Sequence, residues 1–260
     1  MNRSARFLAP LIVGVLILGG WEAVVRIEAI PPYILPGPIA IAAALGRDGP
    51  SLLGSLWVTL RITLAALAAA VILGGAIAIL FAQSRLLEMS LFPYAVILQV
   101  TPIVSIAPLI IIWVDNTFLS LLICAWIVAF FPVVANTTLG LNSADRNLVA
   151  LFRLYGASRW QMLRHLRLPS ALPYFLAGVR ISGGLALIGA VVAEFVAGTG
   201  GTATGLASRI LEAGYRLEIP RLFAALLLLS LTGILIFAAL SWLSNLLLRR
   251  WHESALPDEE

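Results

Sequence analysis

Lysine is absent from the 260 residues, and all 17 basic side chains are arginine. A Walker-type phosphate loop uses a lysine to reach the β and γ phosphates of a nucleotide, so this chain cannot supply that ATP site. Cysteine occurs once, as Cys124 inside an apolar run, which excludes an intramolecular disulfide and leaves the redox compartment undetermined. Its ordinary reading is a small buried hydrophobe. Charge is scarce, at 12% of residues against 61% hydrophobic, and the mean hydropathy is +1.01. Soluble domains are far more polar, so the expectation is a polytopic membrane protein. Period-two alternation over stretches of about ten residues is also missing, which excludes a transmembrane β-barrel.

The apolar runs are long enough to cross the hydrocarbon as helices of about 20 residues each. Six are placed: Phe7 to Val25, Val58 to Phe81, Phe92 to Val114, Phe118 to Leu139, Ala171 to Ala197 and Leu222 to Leu248. The arginines read first as topology signals. Arg3 and Arg6 precede the first run, Arg85 separates the second from the third, five lie between Arg146 and Arg167, and Arg249 and Arg250 follow the last. In the alternate loops Arg26, Arg47, Arg209 and Arg216 are partly offset by Glu28, Asp48, Glu212 and Glu218. Both termini are therefore expected on the cytoplasmic side. The first run continues through Trp21 and Glu22 with no small-x-small cleavage site, so it is expected to be a retained span and not a signal peptide.

Four prolines between Ile30 and Pro38 read as an external linker, which separates an accessory first helix (1–38) from a core (39–250) and a short tail (251–260). From Ile39 to Leu60 helical character resumes around an expected break at Gly46 to Pro50. Arg61 is read as snorkelling to the outer interface in preference to a pore role. The third run carries Pro93, Pro102 and Pro108 and the fourth Pro132, with Gln99, Thr101 and Ser105 beside them. Prolines and polar groups of that kind are tolerated in a span that lines a path. Small residues in the fifth run, such as Gly178, Gly183, Gly189 and Ala190, ordinarily serve close helix packing.

The segment Asp145 to Pro169 is basic, amphipathic and interrupted by one glycine. Asp145 suits an N-cap, and Leu148, Leu151, Phe152 and Tyr155 form an apolar stripe on a short helix that Gly156 ends. Ser158 and Gln161 have capping-box spacing for a second short helix, Arg159 to Leu168, expected to stop at Leu168-Pro169. Lipid headgroups alone would account for the positive charge. They would not require a glycine at a fixed place.

Gly156 is followed thirteen residues later by Pro169, the proline of a Leu-Pro pair. In this the segment resembles the "EAA" loop of binding-protein-dependent ABC transporter permeases. Leu35-Pro-Gly-Pro38, Phe130-Phe-Pro132, Asn136-Thr137, Ala171-Leu-Pro173, Gly178-Val-Arg-Ile181 and Ala193-Glu194 are similar to the nitrate, sulfonate and taurine importer branch. The resemblance covers the chain beyond the first span. Two departures stand out: the motif's acidic position falls on Ala150, followed by Leu151 and Phe152, and a glycine-rich turn is replaced by Val114-Asp115-Asn116.

The resemblance implies an all-α membrane protein of six transmembrane helices, with type I ABC importer architecture and a cytoplasmic coupling helix between spans four and five. Two copies would form the path in a bacterial inner membrane. A pair of ATP-binding subunits would grip Arg153, Gly156, Ala157, Ser158, Arg159, Leu168 and Pro169, and a periplasmic or extracellular binding protein would deliver the solute. Nucleic acid has no part in this reading, and the chain itself needs no cofactor, metal or catalytic set. Solutes of such relatives include small anions such as nitrate, sulfonate and taurine, and small heterocycles such as pyrimidine precursors.

Arg180 and Glu194 are path candidates alongside Gln99, Thr101 and Ser105, because ionisable groups inside a span are functional candidates by default. They share a helix face with Gly183, Ala186 and Ala190, a stripe that either seats a neighbouring helix or leaves room for solute; equally, each charge reaches its own interface. Gly198 to Gly205 is glycine-rich but follows a helix and has no lysine, so it reads as an external turn feeding an amphipathic segment, Leu206 to Leu217. The only histidines, His165 and His252, lie outside the apolar runs, which weighs against an intramembrane hydrolase. The poverty of buried charge weighs against an ion-coupled carrier working without an ATPase.

Overall fold

The computed structural model describes residues 3–198 and 204–249. Their regular structure is helical: α1 (Arg3–Ile27), α2 (Pro38–Gln83), α3 (Arg85–Val100), α4 (Ile103–Trp113), α5 (Thr117–Asn142), α6 (Arg146–Leu154), α7 (Arg159–Met162), a π-helical turn (Leu163–Arg167), α8 (Leu168–Ala197), α9 (Leu206–Tyr215) and α10 (Ile219–Leu248). The expected tail 251–260 and the centre of the turn after Gly198 lie outside the described residues.

Among the described residues, four helical stretches are long and apolar enough to cross a membrane: α2, α5, the run Arg159–Ala197 and α10. The pair α3 and α4 makes a fifth if the two are taken as one broken span. The first expected span falls within the 25 residues of α1. The third differs from expectation. It is not one kinked helix, because α3 and α4 meet at a bend of 99°. Thr101 closes α3 with its N–H and its hydroxyl both donating to the Ile97 carbonyl, at 3.1 and 2.6 Å, and Pro102 starts α4 as its N-cap. The expected break at Gly46 to Pro50 is likewise absent. Pro50 lies inside a continuous 46-residue α2; it forfeits one backbone hydrogen bond, but the preceding Gly49 has no Cβ to meet the proline ring.

The chain divides into two compact units. One comprises residues up to Val58 with 198–231. Within it the Glu22 carboxylate of α1 accepts from Arg26 Nε at 2.7 Å and from the Ile39 N–H at 3.3 Å, so α1 satisfies an otherwise unpaired donor in the first turn of α2. Gly37 lies so close to that carboxylate that a Cβ would collide with it. Trp21 of α1 packs on Phe223 of α10 with ring centroids 6.0 Å apart. Arg209 of α9 donates to Ser55 Oγ at 3.1 Å and pairs with Glu212 at 2.8 Å, while Arg216 pairs with the same carboxylate at 2.9 Å. The hydrogen bond from Arg209 and the neighbouring positive charges hold the Glu212 carboxyl below its ordinary range.

The second unit comprises 59–197 and the chain from Thr232. Its centre is the antiparallel pair α5 and α8, whose backbones touch. A Cβ on Gly140 would lie 2.9 Å from Ala171 Cα, one on Gly178 2.8 Å from the Pro132 carbonyl oxygen, and one on Gly189 2.8 Å from Ala125 Cα. Ser182 fixes the same register by donating to the Ala129 carbonyl at 2.6 Å. Small residues let membrane helices approach until dispersion and such hydrogen bonds hold them, since lipid provides no hydrophobic drive for association. Leu67 and Ala70 of α2 complete this core against Ala129, Val133 and Ala186. Arg61 lies over the Phe118 ring, 5.7 Å from its centroid.

Candidate functional site

The helix, glycine, helix element forms as its caps predict. Asp145 Oδ1 accepts from the N–H groups of Asn147 and Leu148, at 2.7 and 3.3 Å, and starts α6. At the other end Gly156 has φ +70°. Its N–H bonds to Arg153 O at 3.0 Å and that of Ala157 to Phe152 O at 2.9 Å, which is a Schellman closure with the glycine in the left-handed position. Ser158 and Gln161 then exchange both capping-box bonds, Ser158 N–H to Gln161 Oε1 at 2.8 Å and Gln161 N–H to Ser158 Oγ at 3.3 Å.

The expected stop at Leu168-Pro169 does not occur. The helix begun at Arg159 continues to Ala197 as 39 residues. Pro169 has no N–H for the carbonyl four residues earlier, and the π turn absorbs the defect, with the Leu168 N–H reaching back to Leu163 O. The loop is therefore joined to α8 without a hinge.

Two facts set its surface chemistry. None of the nine residues of α6 is buried, although it carries the apolar stripe; Leu154 is 83% exposed, Tyr155 81% and Trp160 of α7 64%. A shallow cavity of about 440 Å³ lies between the two short helices, lined by Leu151, Phe152, Tyr155, Gly156, Gln161 and His165. Ala150, in the acidic position of the motif, is exposed on the side of α6 away from this stripe. Arg153 and Arg159 are exposed, and Leu168 and Pro169 are half-buried at the root of α8.

Arg167 is a residue that sequence reading missed. Its guanidinium donates to the Ala82 carbonyl at 2.9 Å, across 85 positions of sequence. It thereby ties the loop to the last turn of α2, where an unpaired carbonyl favours a cation. The signal was present only as a basic residue near a helix end; its partner is not readable from one sequence.

Of the path candidates, Gln99, Thr101 and Ser105 cluster around the 99° bend, with Gln99 and Ser105 exposed. Glu194 is buried in α8, at 1% exposure. Arg180 lies fourteen residues earlier on that helix, about 21 Å away along the axis, with its guanidinium 6.0 Å from the Phe237 centroid. Between them, Gly183 seats Leu240 and Ile236 of α10, and Ala186 and Ala190 are fully buried; the stripe is occupied by packing. Val114-Asp115-Asn116 ends α4 and begins α5, with Asn116 Oδ1 accepting from the Leu119 N–H at 2.9 Å. An asparagine cap thus does the work of the glycine-rich turn.

The profile of the family described as "Binding-protein-dependent transport system inner membrane component" matches residues 70–253. The chain is 34% identical to the formylaminopyrimidine transport permease protein ThiX of Halalkalibacterium halodurans, over 95% of this chain and 98% of that one. It is 36% identical to the riboflavin transport system permease protein RibX of Chloroflexus aurantiacus, over 92% and 88% respectively. Among solved structures, an amino acid ABC transporter crystallised with histidines superposes with a TM-score of 0.62 over 80% of this chain and 97% of that one, at 18% identity. The fold, the loop between α5 and α8 and the profile match agree, and the chain belongs to the inner-membrane permease family of binding-protein-dependent ABC importers.

Proposed function

We propose that this chain pairs with a second copy of itself to enclose a solute path in a bacterial inner membrane, with both termini cytoplasmic. In this reading a separate pair of ATPase subunits grips the 145–169 loop, and an external solute-binding protein delivers the solute. The uncovered apolar face of α6 carries the docking half, because it is capped at both ends, contains no buried residue and presents Leu154 and Tyr155 outward. Such a helix fits a groove on a partner. ATP is hydrolysed in that partner, so this chain needs no nucleotide site of its own. Binding of ATP there shifts the spans between inward-open and outward-open populations. Gln99, Thr101, Ser105, Arg180 and Glu194 remain the proposed path residues. For the solute, the permeases for formylaminopyrimidine and riboflavin support a small nitrogen heterocycle in preference to a small sulfonate, taurine or nitrate anion.

The test uses the chain co-purified with its ATPase subunits in liposomes, with the binding protein loaded with a formylaminopyrimidine or with taurine. Uptake should require ATP and occur with the heterocycle. Gly156→Val places a β-branched residue at φ +70°, a strain of about 1–2 kcal/mol, and should lower uptake and stimulated ATP hydrolysis by about tenfold while the complex still assembles. Wild-type uptake by that variant would remove the loop from the coupling role.

A further inference from the structure

We propose that the cavity between the loop and the α2–α3 turn holds the phosphate of an anionic phospholipid, with one acyl chain in the apolar cleft that continues from it along α2 and α8. The cavity has a volume of about 630 Å³ and is lined by Arg85, Arg153, Arg159 and Arg167. Among the described residues the one carboxylate paired with any of these is Glu88, 2.9 Å from Arg85; the positive charge is largely uncompensated. Guanidinium groups match phosphate oxygens in a planar, two-pronged geometry. The cavity floor includes Ala82 and Gln83 at the end of α2, and α2 is a membrane-spanning helix, so the arginines stand at headgroup level.

The adjoining cleft selects among ligands that carry phosphate or carboxylate. Its volume is about 500 Å³ and its walls include Val71, Gly75, Ile79, Thr137, Leu168 and Phe175. Ile79 precedes Ala82 by one helical turn on α2, and Leu168 follows Arg167 directly, so the walls of the cleft and of the cationic cavity are neighbours on α2 and at the root of α8. Thr137 is the polar exception, buried and with its hydroxyl making no hydrogen bond among the described residues. Inorganic phosphate would use the cavity alone. A phospholipid uses both.

Arg153 and Arg159 also belong to the docking segment of the proposed function, so the measurement is made on the full chain without any ATPase. Native mass spectrometry of the purified chain is run against phosphatidylglycerol, phosphatidylcholine and glycerol phosphate. Phosphatidylglycerol should remain bound at least about tenfold more tightly than phosphatidylcholine. Arg85→Gln should lose that preference, whereas Arg85→Lys retains much of it. Arg85 is exposed, with 76% of its side chain accessible, so the chain keeps its fold. Gly75→Leu narrows the cleft, since its Cβ has only Phe175 in ordinary contact at 3.8 Å, and should weaken phosphatidylglycerol without altering glycerol phosphate. Equal binding of the two phospholipids, or wild-type binding by both Arg85→Gln and Gly75→Leu, overturns the site. Glycerol phosphate binding as tightly as the lipid, with Gly75→Leu silent, overturns the lipid assignment in favour of a soluble phosphate ligand. None of these outcomes bears on ATPase docking.

Discussion

Leu217 closes α9 in the backbone conformation that Gly156 adopts at the end of α6. Its φ is +55°, its N–H bonds to Gly214 O at 3.2 Å, and the Glu218 N–H reaches Ala213 O at 2.9 Å. The motif is the same, but a side chain in the left-handed region costs about 1–2 kcal/mol. Because Leu217 is 66% exposed, little burial offsets that strain. Leu217→Gly is therefore expected to stabilise the chain by about 1 kcal/mol, seen as a higher melting temperature in detergent; an unchanged or lower value would mean that Leu217 makes a compensating contact. The sequence marked Gly156 clearly, since a glycine between an amphipathic stripe and a Ser-x-x-Gln box has one reading. Leu217 gave no such mark, because propensity disfavours what the α9–α10 connection imposes.

The helix pair α5 and α8 shows which of the many glycines are structural. Gly178 touches the backbone of α5 at Pro132 and Val133, whereas Gly184, six residues on, has nothing within 4 Å. Gly178→Ala should destabilise by about 1–3 kcal/mol through overpacking. Gly184→Ala should be neutral or stabilising by up to about 1 kcal/mol, from helix propensity. Thermal unfolding of the two variants in one detergent decides the matter, and equal effects would mean that the helices separate more easily than their packing implies. Composition made close packing legible, but not which glycine meets which neighbour.

The prolines teach a related lesson. Prolines inside helices follow Ala9, Gly49, Phe92, Ala107, Phe131, Leu168 and Leu172, while the β-branched residues before proline, Ile30, Thr101 and Ile219, stand in connections or at helix ends. A β-branched side chain adds its own restriction to the one proline places on the residue before it. That local rule separates the bend at Thr101 from the intact helix at Pro50, and counting prolines did not.

At the scale of the whole molecule, the apolar runs and the arginine asymmetry made the membrane-spanning class readable from composition alone. The division into two units was not readable, because α2 and α10 each run through both. Orientation is open to direct measurement. In a Cys124→Ala background, Gln161→Cys should react with a membrane-impermeant maleimide only from the cytoplasmic side, and Tyr215→Cys, at an 84% exposed position, only from outside. Reversed labelling would contradict the arginine-based topology.

The unbroken passage from Arg159 to Ala197 has a mechanical consequence. A hinge at Pro169 would have let the loop swing while the span stayed still. Instead the segment is a rod about 58 Å long, clamped to α5 at Gly140, Gly178 and Gly189 over much of its length. Leverage applied near Ser158 cannot tilt α8 alone, because the contacts that would have to slip are backbone against backbone. A pull on the loop would shift two spans at once and would move the far end of the rod, where Glu194 stands.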